Sequence, residues 1–185
     1  MSGIKGLDWL DGQSNIPGLR KYAYAIAKSD IGVWPTLPTT YTTAMGELVT
    51  YAGSFTLLGL AKWQKVALIV DKSPVESKSQ GVRPSKTFLN TLTMHHAGVG
   101  ADATGFALIA NNNDFVYAVQ TKPGKWRIVG NEMFQSNTEI DQKLGGSPTD
   151  EMGTSMVVTV TDICPAPYYE GDLVCADGTI DCSPV

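Results

Sequence analysis

From Arg20 onward the chain alternates large and small residues. Tyr22, Tyr24 and Ile26 fall on one side and Ala23, Ala25 and Ala27 on the other, the period-two signature of a β-strand. Lys28-Ser29-Asp30 ends it, and residues 31–41, with Pro35 and Pro38, read as an extended connector. Residues 47–58 predict a second strand with a bulge at Gly53. Residues 63–71 (WQKVALIVD) carry the most compact β-branched apolar run of the chain and predict a third. Residues 73–81 are polar and predict an edge strand or one arm of a long hairpin. Residues 85–95 return from it, with Phe88, Leu92 and Met94 on one face and Thr87, Thr91 and Thr93 on the other.

One segment breaks this rhythm. Ala103, Phe106, Ala107 and Ala110 recur at helical spacing within residues 100–111, which predicts a short helix with Asp102 as its N-cap. Residues 114–121 and 126–129 read as a hairpin around Lys122-Pro123-Gly124-Lys125. The polar, glycine-containing residues 135–152 read as a long loop with some extended pairing. Residues 154–162 form another strand, with Met156, Val158 and Val160 on one face. About eight strands and one helix follow. The fold class is mainly β: a sandwich or barrel with one flanking α-helix and a long hairpin. Residues 1–18 read as an N-terminal arm, 19–171 as a single domain and 172–185 as a C-terminal tail.

Composition narrows the function. A chain of 185 residues with 43% hydrophobic residues suits one domain. A compact monomer of this size would expose roughly 8,600 Å² and bury about 70% of its unfolded surface. No apolar run approaches the ~20 residues of a spanning helix, and Met1–Trp9 lacks the apolar stretch of a signal peptide. Fourteen Lys and Arg against 18 Asp and Glu give a net charge of −4, the reverse of a phosphate-binding surface. Charged residues make up only 17%, below the ~25% of an average soluble protein, and such a weakly charged surface suits burial against other protein.

The candidates for chemistry are few. Cys164, Cys175 and Cys182 are an odd number without metal-type spacing. Free thiols are favoured, with a Cys175–Cys182 bridge or a zinc site as alternatives. His95 and His96 are neighbours on a strand and so point to opposite faces, one exposed and one half-buried. A Cys–His nucleophile would need a thiol to meet one of them in space. Residues 98–103 fit G-x-G-x-x-A, yet no acidic residue follows at the ribose position, so a strand-to-helix turn is the better reading. Asp150-Glu151 reads as solvated. Trp9, Trp34, Trp63 and Trp126 read as core or interface residues before a sugar platform. No catalytic residue, cofactor or metal is expected, and the chain does not read as an enzyme.

Three stretches carry a resemblance: IPGLRKYAYAIAKSDIGVWPTLP (16–38), SKSQGVRPSKTFLNTLTMHHAG (77–98) with ADATGFALIANNNDFVYAVQ and GKWRIVGNE, and GTSMVVTVTDICPAPYYEG (153–171). In layout they resemble the tail tube (major tail) proteins of bacteriophages, of the type found in Bacteroidetes phages and prophages, over residues 16–171. The resemblance implies a virion protein made in a bacterial cytoplasm. It would form hexameric rings that stack head to tail and contact other tail proteins. DNA would pass through the lumen without specific binding, and no membrane is involved. The long hairpin would pair between subunits, through Glu76, Lys78, Gln80, Arg83, Lys86, Phe88, Asn90 and Leu92. Other virion proteins (head decoration, neck or tail completion) are the nearest alternatives, and a carbohydrate-binding sandwich a more distant one.

Overall fold

The computed structural model describes residues 3–183. The chain is mainly β. In order it forms β1 (Leu19–Ala27), β2 (Ile31–Val33), β3 (Thr50–Tyr51), β4 (Thr56–Leu57), β5 (Gln64–Ala67), β6 (Val75–Gln80), β7 (Thr87–His96), α1 (Ala101–Ala110), β8 (Phe115–Thr121), β9 (Trp126–Val129), β10 (Ser136–Lys143), β11 (Gly153–Asp162), β12 (Tyr168–Tyr169), β13 (Asp172–Cys175) and β14 (Gly178–Asp181). A six-stranded sheet runs β3-β12-β9-β8-β1-β5 and a four-stranded sheet runs β10-β11-β7-β6; β13-β14 and β2-β4 form two small pairs.

The alternation in β1 has a structural meaning on both faces. Ala23 and Ala25 join Tyr117, Val119 and Val129 against Leu92, Met94, Met156 and Val158 of the four-stranded sheet. Small residues on one side let long residues from the other fill the space between the sheets. Ile26 points the opposite way, into a second core with Val116, Ala118, Trp126 and Ile128. The six-stranded sheet is therefore covered on both faces. The covering of its second face is built from short pieces: the β2-β4 pair, the β13-β14 hairpin and the aromatic group of Phe55, Trp63 and Tyr169.

Several segments differ from the sequence expectation. Residues 47–58 do not make one strand. The Glu47 carboxylate accepts backbone N–H bonds from Thr42, Thr43 and Ala44 at 2.8–2.9 Å. These hold a 3₁₀ turn at Met45–Val49, and β3 and β4 are separated by Gly53 at φ +88°. The run 63–71 yields only four strand residues because it crosses between the sheets. Leu68 N–H donates to Lys21 of β1 at 2.8 Å and Ile69 N–H to His95 of β7 at 2.7 Å. The stretch expected as a loop contains β10, in which Thr138 and Ile140 turn inward and Asn137, Glu139 and Asp141 outward. Residues 172–183 are not a tail, because Leu173, Cys175 and Cys182 are buried in the second core. Gly100, not Asp102, occupies the helix N-cap, without a side-chain cap bond. The chain has fourteen strands among the described residues instead of about eight.

The expected hairpins of residues 73–95 and 114–129, the helix and β11 all form. α1 lays Phe106 against Phe115, ring centres 5.9 Å apart, and leaves Leu108 and Ile109 exposed. Residues 3–18 are exposed throughout and form no strand or helix; residues 1–2 of the expected arm and 184–185 of the expected tail lie outside the described residues.

Gly130, just after β9, packs closely against Val116 of the second core. Its φ is +130°, and a Cβ there would sit 3.0 Å from Val116 Cα and 3.1 Å from both Val116 methyls. Gly130→Ala would add backbone strain to overpacking and destabilise the fold by about 1–3 kcal/mol. The midpoint of urea unfolding should fall accordingly, with an unchanged slope.

Candidate functional site

The groups capable of chemistry are dispersed. Cys175 and Cys182 lie in the second core, across the six-stranded sheet from β7 and its histidines. Cys164 follows β11 and is also buried. Burial pushes the Cys164 and Cys182 thiols up to about 12 and Cys175 to about 11. His95 and His96 are both half-buried on opposite faces of β7, and His96 Nδ1 lies 3.0 Å from the Ala67 carbonyl. Among the described residues no thiol meets an imidazole through a hydrogen bond, and no three His, Cys, Asp or Glu side chains are placed to hold a metal. Gly98 and Gly100 form the turn into α1. Asp150 is spent on the Gly146 and Ser147 N–H groups at 2.9 Å, and Glu151 pairs with Lys72. Trp63 and Trp126 are core residues, Trp34 packs edge-on to Phe55 at 5.4 Å and Trp9 is exposed on the arm. They do not share a platform.

The hairpin β6-β7 is built as one antiparallel ladder, from Val75 opposite Leu92 to Gln80 opposite Thr87. Its eight singled-out residues fall into three groups. Glu76 and Lys78 stand on the edge strand, Arg83 and Lys86 on the exposed tip, all facing solvent. Gln80 is half-buried and donates to Thr87 Oγ1 at 3.3 Å and Thr161 Oγ1 at 3.1 Å; Phe88 is also half-buried.

Asn90 and Leu92 belong to the chain's own interior instead of a seam between copies. Leu92 is fully buried in the first core. Asn90 Oδ1 accepts from Ser77 Oγ at 2.6 Å and from Ala166 N–H at 3.0 Å, and its Nδ2 donates to the Cys164 carbonyl at 3.2 Å. That amide ties the segment after β11 to the hairpin. By the period-two alternation Asn90 shares the face of Phe88, Leu92 and Met94, and it is its polarity that misassigns it to a seam.

The rest of the four-stranded sheet shows where the hairpin leads. Inward positions fill the first core, and the outward ones form a broad, mostly polar face interrupted by Leu89 and Val157. Thr87, Thr91, Thr93 and His95 of β7 lie beside Ser155, Thr159 and Thr161 of β11. Glu76 and Lys78 flank them on one side, and Glu139, Asp141 and Lys143 on the other. Three carboxylates, two lysines and a half-buried imidazole leave no cationic excess. Both outermost strands, β6 and β10, have a partner on one side only. β10 was missed in the sequence because Ile140 is the sole large apolar residue marking its inward face.

The arm adds unpartnered apolar surface. Gly3 and Lys5 contact Tyr41 and Thr43 through hydrogen bonds, yet Ile4, Leu7, Trp9, Leu10 and Ile16 are all more than half exposed. The whole chain exposes 11223 Å², well above the roughly 8,600 Å² of a compact monomer of this mass. No helix among the described residues is long and apolar enough to cross a membrane. Comparison with protein-family models, with curated proteins and with solved structures returns no match.

The thiols provide a direct check on whether the chain carries a reactive cysteine. With all three buried and pushed to about 11–12, labelling by a disulfide reagent at pH 8 should be negligible in the native protein and reach three thiols per chain in denaturant. One rapidly labelled thiol in the native protein would restore the Cys–His enzyme as a candidate.

Proposed function

We propose that this chain is a structural subunit that closes into a ring by edge-to-edge pairing of its four-stranded sheet. Such rings would stack into a phage-type tail tube that conducts DNA. The observation that carries the reading is the sheet itself. Its strands alternate in direction all the way across, β10 against β11, β11 against β7 and β7 against β6. An even number of alternating strands means that β6 of one copy meets β10 of a rotated copy antiparallel, so the ladder continues through every seam. An open edge of this kind is an aggregation hazard in a monomer, and a closed barrel abolishes it.

Size supports the resemblance to six-membered rings. Twenty-four strands at about 4.8 Å each make a wall of about 115 Å circumference and roughly 37 Å diameter, before strand tilt widens it. Four copies would give about 24 Å at the backbone, a bore that inward side chains would fill. In the larger ring the hydroxyl-rich outer face lines a lumen wide enough for a duplex. Without a cationic excess that lining lets phosphates slide past instead of holding them. The same subunit would stack through unlike surfaces, which gives an open tube in place of a closed oligomer. The exposed apolar residues of the arm suit contacts between neighbouring copies.

Negative-stain electron microscopy and sedimentation velocity over a concentration series test this. Rings with a central hole, and tubes that lengthen with concentration, are expected. Closed rings that never stack would overturn the tube and point to a neck or completion subunit. A monomer at every concentration and salt condition would overturn the ring as well.

A further inference from the structure

The far end of β11 holds a buried carboxylate of which this chain leaves one oxygen without a partner. Asp162 is 1% exposed. Its Oδ1 accepts the Ile163 N–H at 2.7 Å, while its Oδ2 has no hydrogen-bond partner. A buried carboxylate oxygen in that condition is costly unless something pairs with it or a proton neutralises it. Burial accordingly pushes its carboxyl above the usual range.

Asp162 is also one wall of a cleft of about 280 Å³. Trp34, Leu37, Met133 and Ile163 make the cleft apolar, Tyr51 closes one side and Glu132 adds a second carboxyl; no Lys or Arg lines it. The Asn131 side chain and the Cys164 N–H also approach the carboxyl, without giving Oδ2 a hydrogen-bond partner. Asn131 donates to the Thr161 carbonyl at 2.7 Å and accepts the Phe134 N–H at 2.7 Å. Arg127 donates to the Ala166 carbonyl and the Tyr168 hydroxyl at 2.7 and 2.6 Å. The cleft is shaped for a cation on an apolar stem that this chain does not itself supply.

A fitting cation stands at the same end of the sheet. Asp162 lies across the ladder from Phe88 of β7, two residues after the hairpin tip. That tip presents Val82, Arg83 and Pro84 to solvent; Val82 is 78% exposed. No hydrogen bond or ion pair engages Arg83 among the described residues, and no residue of the tip lines the cleft of its own chain. The tip and residues 131–133, which line the cleft and lead into β10, lie at the same end of the sheet, so antiparallel pairing of β6 with the next copy's β10 would bring them together.

We propose that the Val82–Pro84 tip of one copy seats in the cleft of the adjacent copy, with the Arg83 guanidinium on Asp162 Oδ2. This docking rests on the ring reading above and names the residues that fix its seam. A planar guanidinium suits the site better than an ammonium because it is less strongly hydrated and also packs on aromatic faces such as Trp34. The contact joins unlike surfaces, so every copy both gives a tip and receives one.

Arg83→Glu and the control Lys86→Glu change charge equally on the same exposed tip. Arg83→Glu should raise the concentration needed for ring formation by about thirtyfold or more, and Lys86→Glu by far less. Asp162→Asn should match the loss, and Arg83→Gln with Asp162→Asn should be no worse than either alone. Thermal melts of the dilute variants check that each is folded. A mixture of Val82→Cys and Met133→Cys chains should form a disulfide between copies under oxidation, the native thiols being buried. If Arg83→Glu assembles like the natural chain, or no cross-link forms while rings still do, the docking is overturned and the ring stands. If the natural chain itself never assembles, ring and docking both fall.

Discussion

The fold depends on burying both faces of β8. Phe115, Tyr117 and Val119 look toward the four-stranded sheet, Val116 and Ala118 toward the opposite core. A strand apolar on both sides needs a layer on each. One layer is a regular sheet. The other is assembled from short strands and aromatic rings, and it holds because its parts interlock. The Tyr169 hydroxyl donates to the Asp172 carbonyl at 2.8 Å and accepts the Phe55 N–H at 3.2 Å. Gly171 is needed beside it, since a Cβ there would lie within 2.6–2.8 Å of Ser54, Gly53 and Tyr169 atoms.

That arrangement divides labour between the layers. The aromatic layer spends its side chains on closing the second core. The four-stranded sheet, by contrast, spends only its inward half, on the Met94, Met156 and Val158 packing. Its outward half and its two edges stay available, on a core that needs nothing further from them. Rigid scaffold on one side and uncommitted ladder on the other is the combination that assembly through backbone pairing requires.

Much of this was legible in the sequence wherever apolar periodicity was dense. β7, β8, β9 and β11 declare themselves because their inward residues are large or β-branched, β1 because Tyr22, Tyr24 and Ile26 alternate with alanines, and α1 because Phe106 recurs with alanines at helical spacing. β10 was hidden because Thr138 serves as a core residue, its Oγ1 lying 3.3 Å from the Tyr117 hydroxyl. Residues 63–71 misled in the opposite sense, since an apolar run that crosses between two sheets looks like a long strand. The hairpin was recognisable, but its division into exposed edge and buried interior was not. Asn90 is polar and fully buried, and only the chain's return at residues 164–166 explains it. Asp162 gave no signal either, because an inward carboxylate closing an apolar strand has the same period as the valines before it.

The pairing of β12 with β3 has a kinetic consequence. It is parallel, and it sets Tyr168 beside Thr50, so the six-stranded sheet cannot be completed by zipping neighbouring hairpins. The β6-β7 hairpin needs only a short loop closure, whereas the β3-β12 junction must bring distant parts of the chain together first. Loop-closure entropy and high contact order make such a step slow. The ladder edges therefore form early and wait, uncovered, while the remaining sheet matures. At high chain concentration, correct maturation and premature edge association become competing rates, and their ratio sets the yield.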